Sequence, residues 1–468
     1  MLSGSLGRHT RRSVTTGVVR LRAFPPATDG ADTAPARRLS MSPCVQRDAH
    51  ADADRGGGGR TWATLGGMFP TLPLSYCTNV HPGPTLADVL SGLRTYTGPL
   101  NEAVGPVAAG LWLCEPVVSE LSGEAGAANR ALLRQTLDDL GLMTYTLNAF
   151  PQSPFHAPRV KEEVYRPTWA DGRRLEFTTR CAEVLAGLIP TGVEGSLSTV
   201  PLGHPGDVTD GAAFRAACVG NLLELSRRLD DLHDETGTVI RLAIEPEPSC
   251  VLETTPQTIA FFEELWAAAD AGDLGDEVRR HVGVCYDVCH QAVEFEDAIE
   301  TVRKLRDAGV RIVKVHISCA LETDPSDAAQ LEALAAFAEP RYLHQTTARL
   351  PGGRVAQVFD LTAAMCETPP EELAGATAWR THFHVPVNAE AVGPLKTTKG
   401  ELRRALRAVN GLPYAPHLEV ETYTWNVLPG ETADLVTGLS DEVRAARAML
   451  SAAAKPEVAP AGPMVTLG

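Results

Sequence analysis

Acidic residues and histidines recur in this chain at the ends of short apolar segments, where they could together hold a metal ion. Glu245 and Glu247 lie in LAIEPEP, Asp287 and His290 lie three residues apart in VCYDVCH, and His316 lies in VKVHIS. Buried carboxylates are costly unless they are paired or bound to a cation, and several together repel one another. A divalent ion held by oxygen ligands and one or two imidazoles relieves both problems. This donor set suits Mn²⁺, Mg²⁺ or Co²⁺, and Zn²⁺ less exclusively.

Two later segments carry further candidates for the same site. Glu419 and Glu421 lie in HLEVETYTW, and His382 and His384 lie in WRTHFHVPV. Because side chains alternate along a strand, Glu419 and Glu421 are expected to point the same way, as are the two glutamates of LAIEPEP. The alternation leaves open which member of each pair binds the metal ion.

These residues need a scaffold that brings the ends of several strands together. Between about residues 72 and 450, short β-rich runs alternate with longer amphipathic runs in a pattern that predicts a (β/α)₈ TIM barrel. The carboxyl ends of the strands build the active site of such a barrel. The alternative is an open doubly wound sheet, which is expected to carry a glycine-rich first turn for a nucleotide. The first turn here reads TNVHPG, without that pattern, so the sequence favours the barrel.

The predicted strands place polar residues at one end of the barrel. Asn79 and His81 follow the first strand, and the carboxylates and histidines described above follow strands five to eight. About 95 residues separate strands seven and eight, far more than a usual connection between a helix and a strand. They include WRTHFHVPV, which predicts a ninth strand. We expect an insertion at about residues 321–390 to shape a substrate site on the active-site face.

The composition changes at both ends of this pattern. Residues 1–68 are rich in Arg, Gly and Ala and have little hydrophobic periodicity. Such a segment cannot bury enough apolar surface to fold, so we expect either a disordered extension or a translation start that was assigned too early. The barrel is assigned to residues 69–455, and residues 456–468 are expected to form a flexible tail.

Charge and composition limit the classes of partner. The net charge of −16 makes the chain a poor match for nucleic acid, which requires clustered cations. It contains no apolar run of about 18 residues, so membrane insertion is not expected. Ten cysteines without a CxxC pair are typical of reduced thiols, which favours the cytoplasm. The partner class that remains is a small-molecule substrate.

Several of these motifs resemble a known group of barrels. LAIEPEP, VCYDVCHQ, VKVHIS and HLEVETYTW are similar to the metal-binding strands of the xylose isomerase-like superfamily, which includes sugar isomerases, sugar epimerases and endonuclease IV. Within that group, YCTNVHPG, YLHQT, HFHVPV and HLEVETYTWNVLP most resemble the EboE family of metabolite traffic proteins. The resemblance extends over roughly residues 72–450.

The resemblance implies roles for individual residues. The metal ligands would be Glu245, Asp287 and His316, with Glu421 or Glu419 as the fourth ligand. As in the superfamily's epimerases, the carboxylates of strands five and eight would also transfer protons, which makes Glu245 and Glu421 the catalytic candidates. The secondary metal candidates are Glu247, Glu419 and His382, and the substrate-binding candidates are His290, Asn79, His81 and His384.

Three functions are consistent with these features. The first is a metal-dependent isomerase or epimerase acting on a sugar, a sugar phosphate, a polyol or a secondary-metabolite precursor. The second is a non-catalytic carrier that works with other proteins of a metabolite-export pathway, as the family resemblance implies. The third is a metal-dependent phosphodiesterase similar to endonuclease IV, which the acidic charge disfavours. HFHVPV has no counterpart in the simple epimerases, and its two imidazoles could serve a second metal or a phosphate.

Overall fold

Eight parallel strands close into a barrel in the computed structural model, which describes residues 20–22, 72–430 and 433–454. Each strand is hydrogen-bonded to its neighbour in sequence, and the eighth closes the ring between the seventh and the first. The predicted TIM barrel is therefore confirmed. We number the barrel strands one to eight; they are Ser75–Cys77, Ala108–Trp112, Thr146–Asn148, Gly195–Thr199, Ile240–Ile244, Val282–Asp287, Ile312–Ile317 and His417–Val420.

Helices connect the strands and cover the outside of the barrel. Many begin at residues whose side chains accept hydrogen bonds from the first turn, such as Thr85, Asp210 and Asp297. None of the helices in the described ranges has the length and apolar character needed to cross a bilayer. The α-helices are Leu86–Gly92, Gly98–Val104, Glu115–Leu121, Ala127–Asp139, Gly172–Ala186, Gly211–Thr236, Thr255–Ala271, Gly275–His281, Val288–Val293, Ala298–Asp307, Ala328–Ala335, Ala363–Glu367, Lys399–Asn410 and Leu435–Ala453.

A second, antiparallel sheet is built mainly from the chain between barrel strands seven and eight. In spatial order its strands are Arg20–Arg22, Val355–Val358, Thr346–Arg349, Ala378–Thr381, Leu321–Thr323, Leu395–Thr397 and Ala391–Val392. Arg20–Arg22 pairs with Val355–Gln357 at one edge of this sheet. The other residues of the predicted extension 1–68, and the predicted tail 456–468, lie outside the described residues.

The predicted ninth strand is shorter than its apolar run suggested. The strand ends at Thr381, before both histidines, and it belongs to the second sheet instead of the barrel. One further backbone bond, from His382 N to Gln345 O at 2.8 Å, extends the pairing. Beyond it, Val385 N donates to Cys319 O at 3.0 Å, so the chain leaves the sheet and runs along the end of barrel strand seven. Local hydrophobicity did not predict this change of partner.

The interior of the barrel contains a buried ion pair. Lys314 Nζ lies 2.6 Å from Glu419 Oε1, and both side chains are fully buried. Ser75 Oγ donates to Glu419 Oε2 at 2.8 Å, and Lys314 donates to Ser198 Oγ at 3.3 Å. On barrel strand two, Gly110 makes room for this pair, because a Cβ atom there would lie 1.6 Å from Glu419 Oε2.

Candidate metal centre

Four barrel strands deliver one side chain each to a common point at their carboxyl ends. Glu245 and Glu421 directly follow strands five and eight, Asp287 ends strand six, and His316 lies on strand seven. One ligand atom from each of these four buried residues lies within 4.8 Å of the others. His316 Nδ1 lies 2.9 Å from Glu245 Oε1, 2.9 Å from Glu421 Oε2 and 3.3 Å from Asp287 Oδ2. The four predicted ligands are therefore neighbours in the structure.

Amide side chains hold the carboxylate of Glu421 in place. Asn79 Nδ2 donates to Glu421 Oε1 at 2.9 Å, and Asn148 Nδ2 donates to the same oxygen at 2.8 Å. The other oxygen, Oε2, is the one that faces His316. Asn79, predicted to bind substrate, thus both lines the cavity described below and orients a metal-ligand candidate.

The carboxylate of Asp287 is oriented in a similar way. Ser318 Oγ donates to Asp287 Oδ1 at 2.8 Å, and the backbone N–H of His290 donates to it at 3.0 Å. Asp287 Oδ2 and Glu245 Oε2 are buried and have no hydrogen-bond partner. Buried carboxylate oxygens without donors are rare in folded proteins, and these two oxygens suit ligation of a cation.

Electrostatics at this point favour a positive charge. Burial raises the pKa of Glu245 to about 7, with Glu421 and Asp287 adding to the rise and His316 opposing it. Burial would lower the pKa of His316, but Cys285, Glu245 and Glu421 raise it well above its ordinary value. Three carboxylates and one imidazole, with two oxygens unsatisfied, fit a divalent cation such as Mn²⁺, Mg²⁺, Co²⁺ or Zn²⁺.

The structure distinguishes Glu419 from Glu421, whereas strand alternation predicted the same orientation for both. Glu419 lies within barrel strand eight, where its carboxylate pairs with Lys314 and accepts a hydrogen bond from Ser75. Its Oε1 lies 3.4 Å from Nε2 of His316, on the side of the ring opposite the other carboxylates. Glu421 is thus the strand-eight carboxylate that faces Glu245 and Asp287, whereas Glu419 contacts the far nitrogen of the imidazole.

Glu247 does not join the carboxylate group of Glu245. The strand ends at Ile244, and beyond it Glu247 accepts hydrogen bonds from Tyr165 Oη at 2.6 Å and Gln345 Nε2 at 2.9 Å. Burial raises the pKa of Glu247 to about 8, although these two donors oppose the rise. The expected alternation of the LAIEPEP glutamates fails here because it applies only while the backbone stays extended.

Three histidines form a neighbouring group. The rings of His290, His382 and His384 have centroids separated by 4.6 Å, 5.5 Å and 5.1 Å. Their Nδ1 atoms contact Pro246 O at 3.0 Å, Gln345 Oε1 at 2.7 Å and Glu421 O at 2.9 Å, respectively. Burial lowers the pKa of His290 to about 4, so the neutral imidazole is the favoured form.

His81 lies apart from the other predicted residues. Its Nε2 contacts Tyr76 Oη at 3.1 Å, and its ring stacks on Tyr96 with centroids 4.4 Å apart. Burial lowers its pKa to about 3. His81 does not line the cavity above the carboxylates, so its position gives no support to the predicted substrate contact.

A cavity of about 500 Å³ opens above the carboxylates and histidines. Its polar residues include Glu245, Glu247, Glu421, His290 and His382, while its walls are mainly aromatic and aliphatic. The wall residues that carry no charge are Asn79, Asn148, Phe150, Pro151, Phe155, Val160, Val164, Tyr165, Tyr342, Leu343 and Tyr423. Asp287, His316 and His384 lie behind the floor rather than on it.

One basic side chain, Lys161, lines this cavity among the described residues. Its Nζ donates to Tyr342 O at 2.6 Å, Asp360 Oδ2 at 2.7 Å and Glu339 O at 3.0 Å. Because an ammonium group has three protons to donate, these acceptors satisfy Lys161 completely. The cavity therefore offers no free ammonium or guanidinium group to an anion.

Three residues of the site were missed in the sequence. Ser318 and Lys314 each lie two residues from His316, so strand alternation already turned their side chains toward the barrel interior. Gln345 lies in YLHQT, a motif with no metal-ligand pattern of its own. Its position became visible only through the pairing of the second sheet.

No protein-family model and no curated protein matches this chain. Solved structures with similar barrels include a xylose isomerase-like TIM barrel protein from Mycobacterium smegmatis in complex with magnesium, at 12% identity over 82% of this chain and 98% of that one, with a TM-score of 0.46. D-psicose 3-epimerase in the presence of D-fructose is 14% identical over 81% and 100%, with a TM-score of 0.42. The IOLI protein with a bound zinc atom is 12% identical over 81% and 99%, with a TM-score of 0.43.

Proposed function

We propose that this protein is a divalent-metal-dependent isomerase or epimerase that acts on a sugar-like compound with a hydroxyl group next to a carbonyl. The observation that carries the proposal is the convergence of four ligand candidates, with Glu245 and Glu421 on the floor of the cavity and Asp287 and His316 directly behind it. These four residues would hold the ion. The ion, when bound, supplies a Lewis acid that polarises a carbonyl oxygen and lowers the barrier to proton removal from the neighbouring carbon.

Proton transfer is assigned to Glu245 and Glu421, two of the three glutamates that line the cavity. Glu245 Oε2 has no hydrogen-bond partner, so this oxygen can accept a proton from a substrate carbon. Glu421 reaches the same cavity, with its Oε1 held by two amides and its Oε2, 2.9 Å from His316 Nδ1, available to return a proton. Asn79 and Asn148 keep this carboxylate in one orientation.

The lining of the cavity narrows the substrate class. A phosphate group would meet carboxylates and neutral imidazoles at the floor, and Lys161 has no proton left to donate. The aromatic walls suit an apolar group attached to the polar head. We therefore assign an uncharged hydroxycarbonyl compound with an apolar substituent, as a secondary-metabolite precursor would be, in preference to a sugar phosphate. The same lack of cations disfavours a phosphodiesterase.

A second candidate function is that of a non-catalytic carrier, which the aromatic walls favour. In this case the chain would bind the same class of molecule in the cytoplasm and pass it to other proteins of an export pathway, as the EboE resemblance implies. The metal site would orient the ligand, and no carbon–hydrogen bond would break.

Exchange of hydrogen with solvent separates the two functions. The metal-loaded protein is incubated in D₂O with uncharged ketoses and aryl-substituted hydroxyketones, each beside its phosphorylated analogue. Deuterium incorporated at carbon, lost after EDTA and restored by Mn²⁺ or Mg²⁺, supports the enzyme. Binding without exchange supports the carrier, and full exchange by metal-free protein would refute the mechanism.

Two variants sharpen this test. Glu245→Gln removes the proposed base and should abolish exchange. Asp139→Asn is the control, because Asp139 is an exposed carboxylate at the end of the helix Ala127–Asp139, remote from the barrel interior. The control should exchange at the rate of the unchanged protein.

A further inference from the structure

The three histidines beside the carboxylates have a fixed arrangement of protons. Nδ1 of His290 faces the carbonyl oxygen of Pro246, and Nδ1 of His384 faces the carbonyl oxygen of Glu421. A carbonyl oxygen can only accept a hydrogen bond, so Nδ1 carries the proton in both rings. In a neutral imidazole the other nitrogen, Nε2, then carries a lone pair.

The same holds for His382, although its partner is an amide. Gln345 Nε2 donates to Glu247 Oε1 at 2.9 Å and to Pro248 O at 3.1 Å, and both of these partners are acceptors. The amide is therefore oriented with Oε1 toward His382, where it accepts from Nδ1 at 2.7 Å. His382 also presents its lone pair at Nε2.

These lone pairs face one another inside the protein. Nε2 of His290 lies 3.2 Å from Nε2 of His382, and with both Nδ1 atoms protonated neither ring has a proton to place between them. The other contact of His382 Nε2 is a long one, to Tyr423 Oη at 3.4 Å. Nε2 of His384 is buried without a hydrogen-bond partner, 3.9 Å from the equally unpartnered Oδ2 of Asp287. A cation between His290 and His382 would satisfy the facing lone pairs, and Asp287, His290 and His384 also offer ligand atoms within 4.8 Å of one another. A phosphate would require donors that these tautomers do not have.

The separation of the two facing nitrogens has the value expected for ligands of one metal ion. Zinc–nitrogen bonds are about 2.0–2.1 Å, and a tetrahedral angle between two of them places the nitrogens about 3.3 Å apart. The observed 3.2 Å between His290 and His382 agrees with that value. Bonds from Nδ1 to carbonyl or amide oxygens are also the usual support for metal-binding histidines.

We propose that His290 and His382, with His384 and Asp287 beside them, form a second, nitrogen-rich cation site that takes Zn²⁺ or a similar borderline metal such as Co²⁺. Asp287 lies between the two sites, because its Oδ2 is also 3.3 Å from His316 Nδ1 in the carboxylate group. The carboxylate group suits the harder ions Mg²⁺ and Mn²⁺, so the two sites differ in metal preference. The proposal does not depend on whether the protein catalyses a reaction.

Metal stoichiometry tests the second site. The full-length protein is freed of metal with a chelator and titrated with Zn²⁺, and bound ions are counted by native mass spectrometry. We expect two equivalents per chain. His382→Ala and His384→Ala should each bind one, with unchanged circular dichroism, while His233→Ala on the helix Gly211–Thr236 should still bind two. Retention of two ions by both His382→Ala and His384→Ala would overturn the proposal.

Co²⁺ gives a second readout that does not rely on substitutions. Co²⁺ bound at a tetrahedral, nitrogen-rich site absorbs visible light intensely, whereas Co²⁺ at a carboxylate-rich octahedral site absorbs weakly. We expect the intense band in the unchanged protein and its loss in His382→Gln. Binding of a single ion that Glu421→Gln removes and His382→Gln does not affect would show that the histidines hold no ion. That outcome would refute the second site and leave the proposed function intact.

Discussion

The buried pair of Lys314 and Glu419 allows a quantitative test of how the barrel supports its site. Nζ of Lys314 lies 2.6 Å from Glu419 Oε1, with both side chains fully buried, and Glu419 supports the imidazole of His316. Lys314→Met keeps the length of the side chain but removes its charge. It would leave the carboxylate of Glu419 buried without its counter-charge.

The expected cost follows from the pKa of Glu419. Burial alone would raise this pKa, but Lys314 and His316 outweigh the effect and lower it from 4.5 to about 2. At about 1.4 kcal/mol per pKa unit, this corresponds to about 3 kcal/mol of stabilisation, to which Lys314 and His316 both contribute. Removing one partner of a buried pair generally costs about 3–5 kcal/mol, which agrees. For a domain of this size, such a loss lowers the melting temperature by about 4–6 °C.

The lowered pKa of Glu419 also predicts how this stabilisation changes with pH. A carboxyl group with a lowered pKa stabilises the fold at pH values above its unfolded pKa of 4.5, and this contribution is lost as the pH falls toward 2. In Lys314→Met, protonation of Glu419 instead relieves the buried charge. The difference in unfolding free energy between the two proteins should therefore be largest at neutral pH and shrink as the pH falls below about 4.5.

Urea denaturation from pH 7 to pH 3, on metal-free protein, measures this difference. Lys314→Met/Glu419→Gln is the matched control, because it removes both charges and should recover most of the loss. A single variant as stable as the unchanged protein at pH 7, or a difference that grows on acidification, would show that the pair does not carry the assigned electrostatic energy.

Three further predictions concern the neighbourhood of the site. Asp287→Asn keeps the size of the side chain but removes its charge, so we expect a severe loss of bound metal with unchanged circular dichroism; a full complement of metal by mass spectrometry would show that Asp287 is not a ligand. Gly110→Ala places a Cβ atom 1.6 Å from Glu419 Oε2 and should cost about 1–3 kcal/mol in urea unfolding. Glu442→Ala leaves Thr422 Oγ1, Val387 N and Trp425 Nε1 without their shared acceptor; we expect a loss of at least about 2 kcal/mol and weaker metal binding, and unchanged metal affinity would contradict the second part.

Much of the carboxylate group could be predicted because it depends on a general property of parallel barrels. Strands that run in the same direction bring their carboxyl ends to one rim, so Glu245, Asp287 and His316 converge once the strands are recognised. How deep each side chain lies within the barrel could not be predicted in the same way. The choice between Glu421 and Glu419 depends on Lys314, whose contact with Glu419 joins neighbouring strands far apart in sequence.

Residues outside the regular strands were harder to place. His81 follows a barrel strand, as the metal-ligand candidates do, but a contact with Tyr76 and stacking on Tyr96 hold it away from the cavity. The segment HFHVPV has the apolar character of a strand, yet its backbone leaves the sheet after Thr381. Both outcomes depend on contacts that alternation and hydrophobicity do not encode.

The second sheet determines the position of His382 through its register. Thr346 pairs with Thr381, so Gln345 and His382 are the next residues outward on the two strands, joined by a backbone bond of 2.8 Å and a side-chain bond of 2.7 Å. A shift of one residue would turn His382 away from the barrel, because neighbouring side chains lie on opposite faces. Gln345 also binds Glu247, which follows barrel strand five. Hydrogen bonds of Gln345 thus connect the antiparallel sheet to the parallel barrel at the histidine group, where the second cation site is proposed.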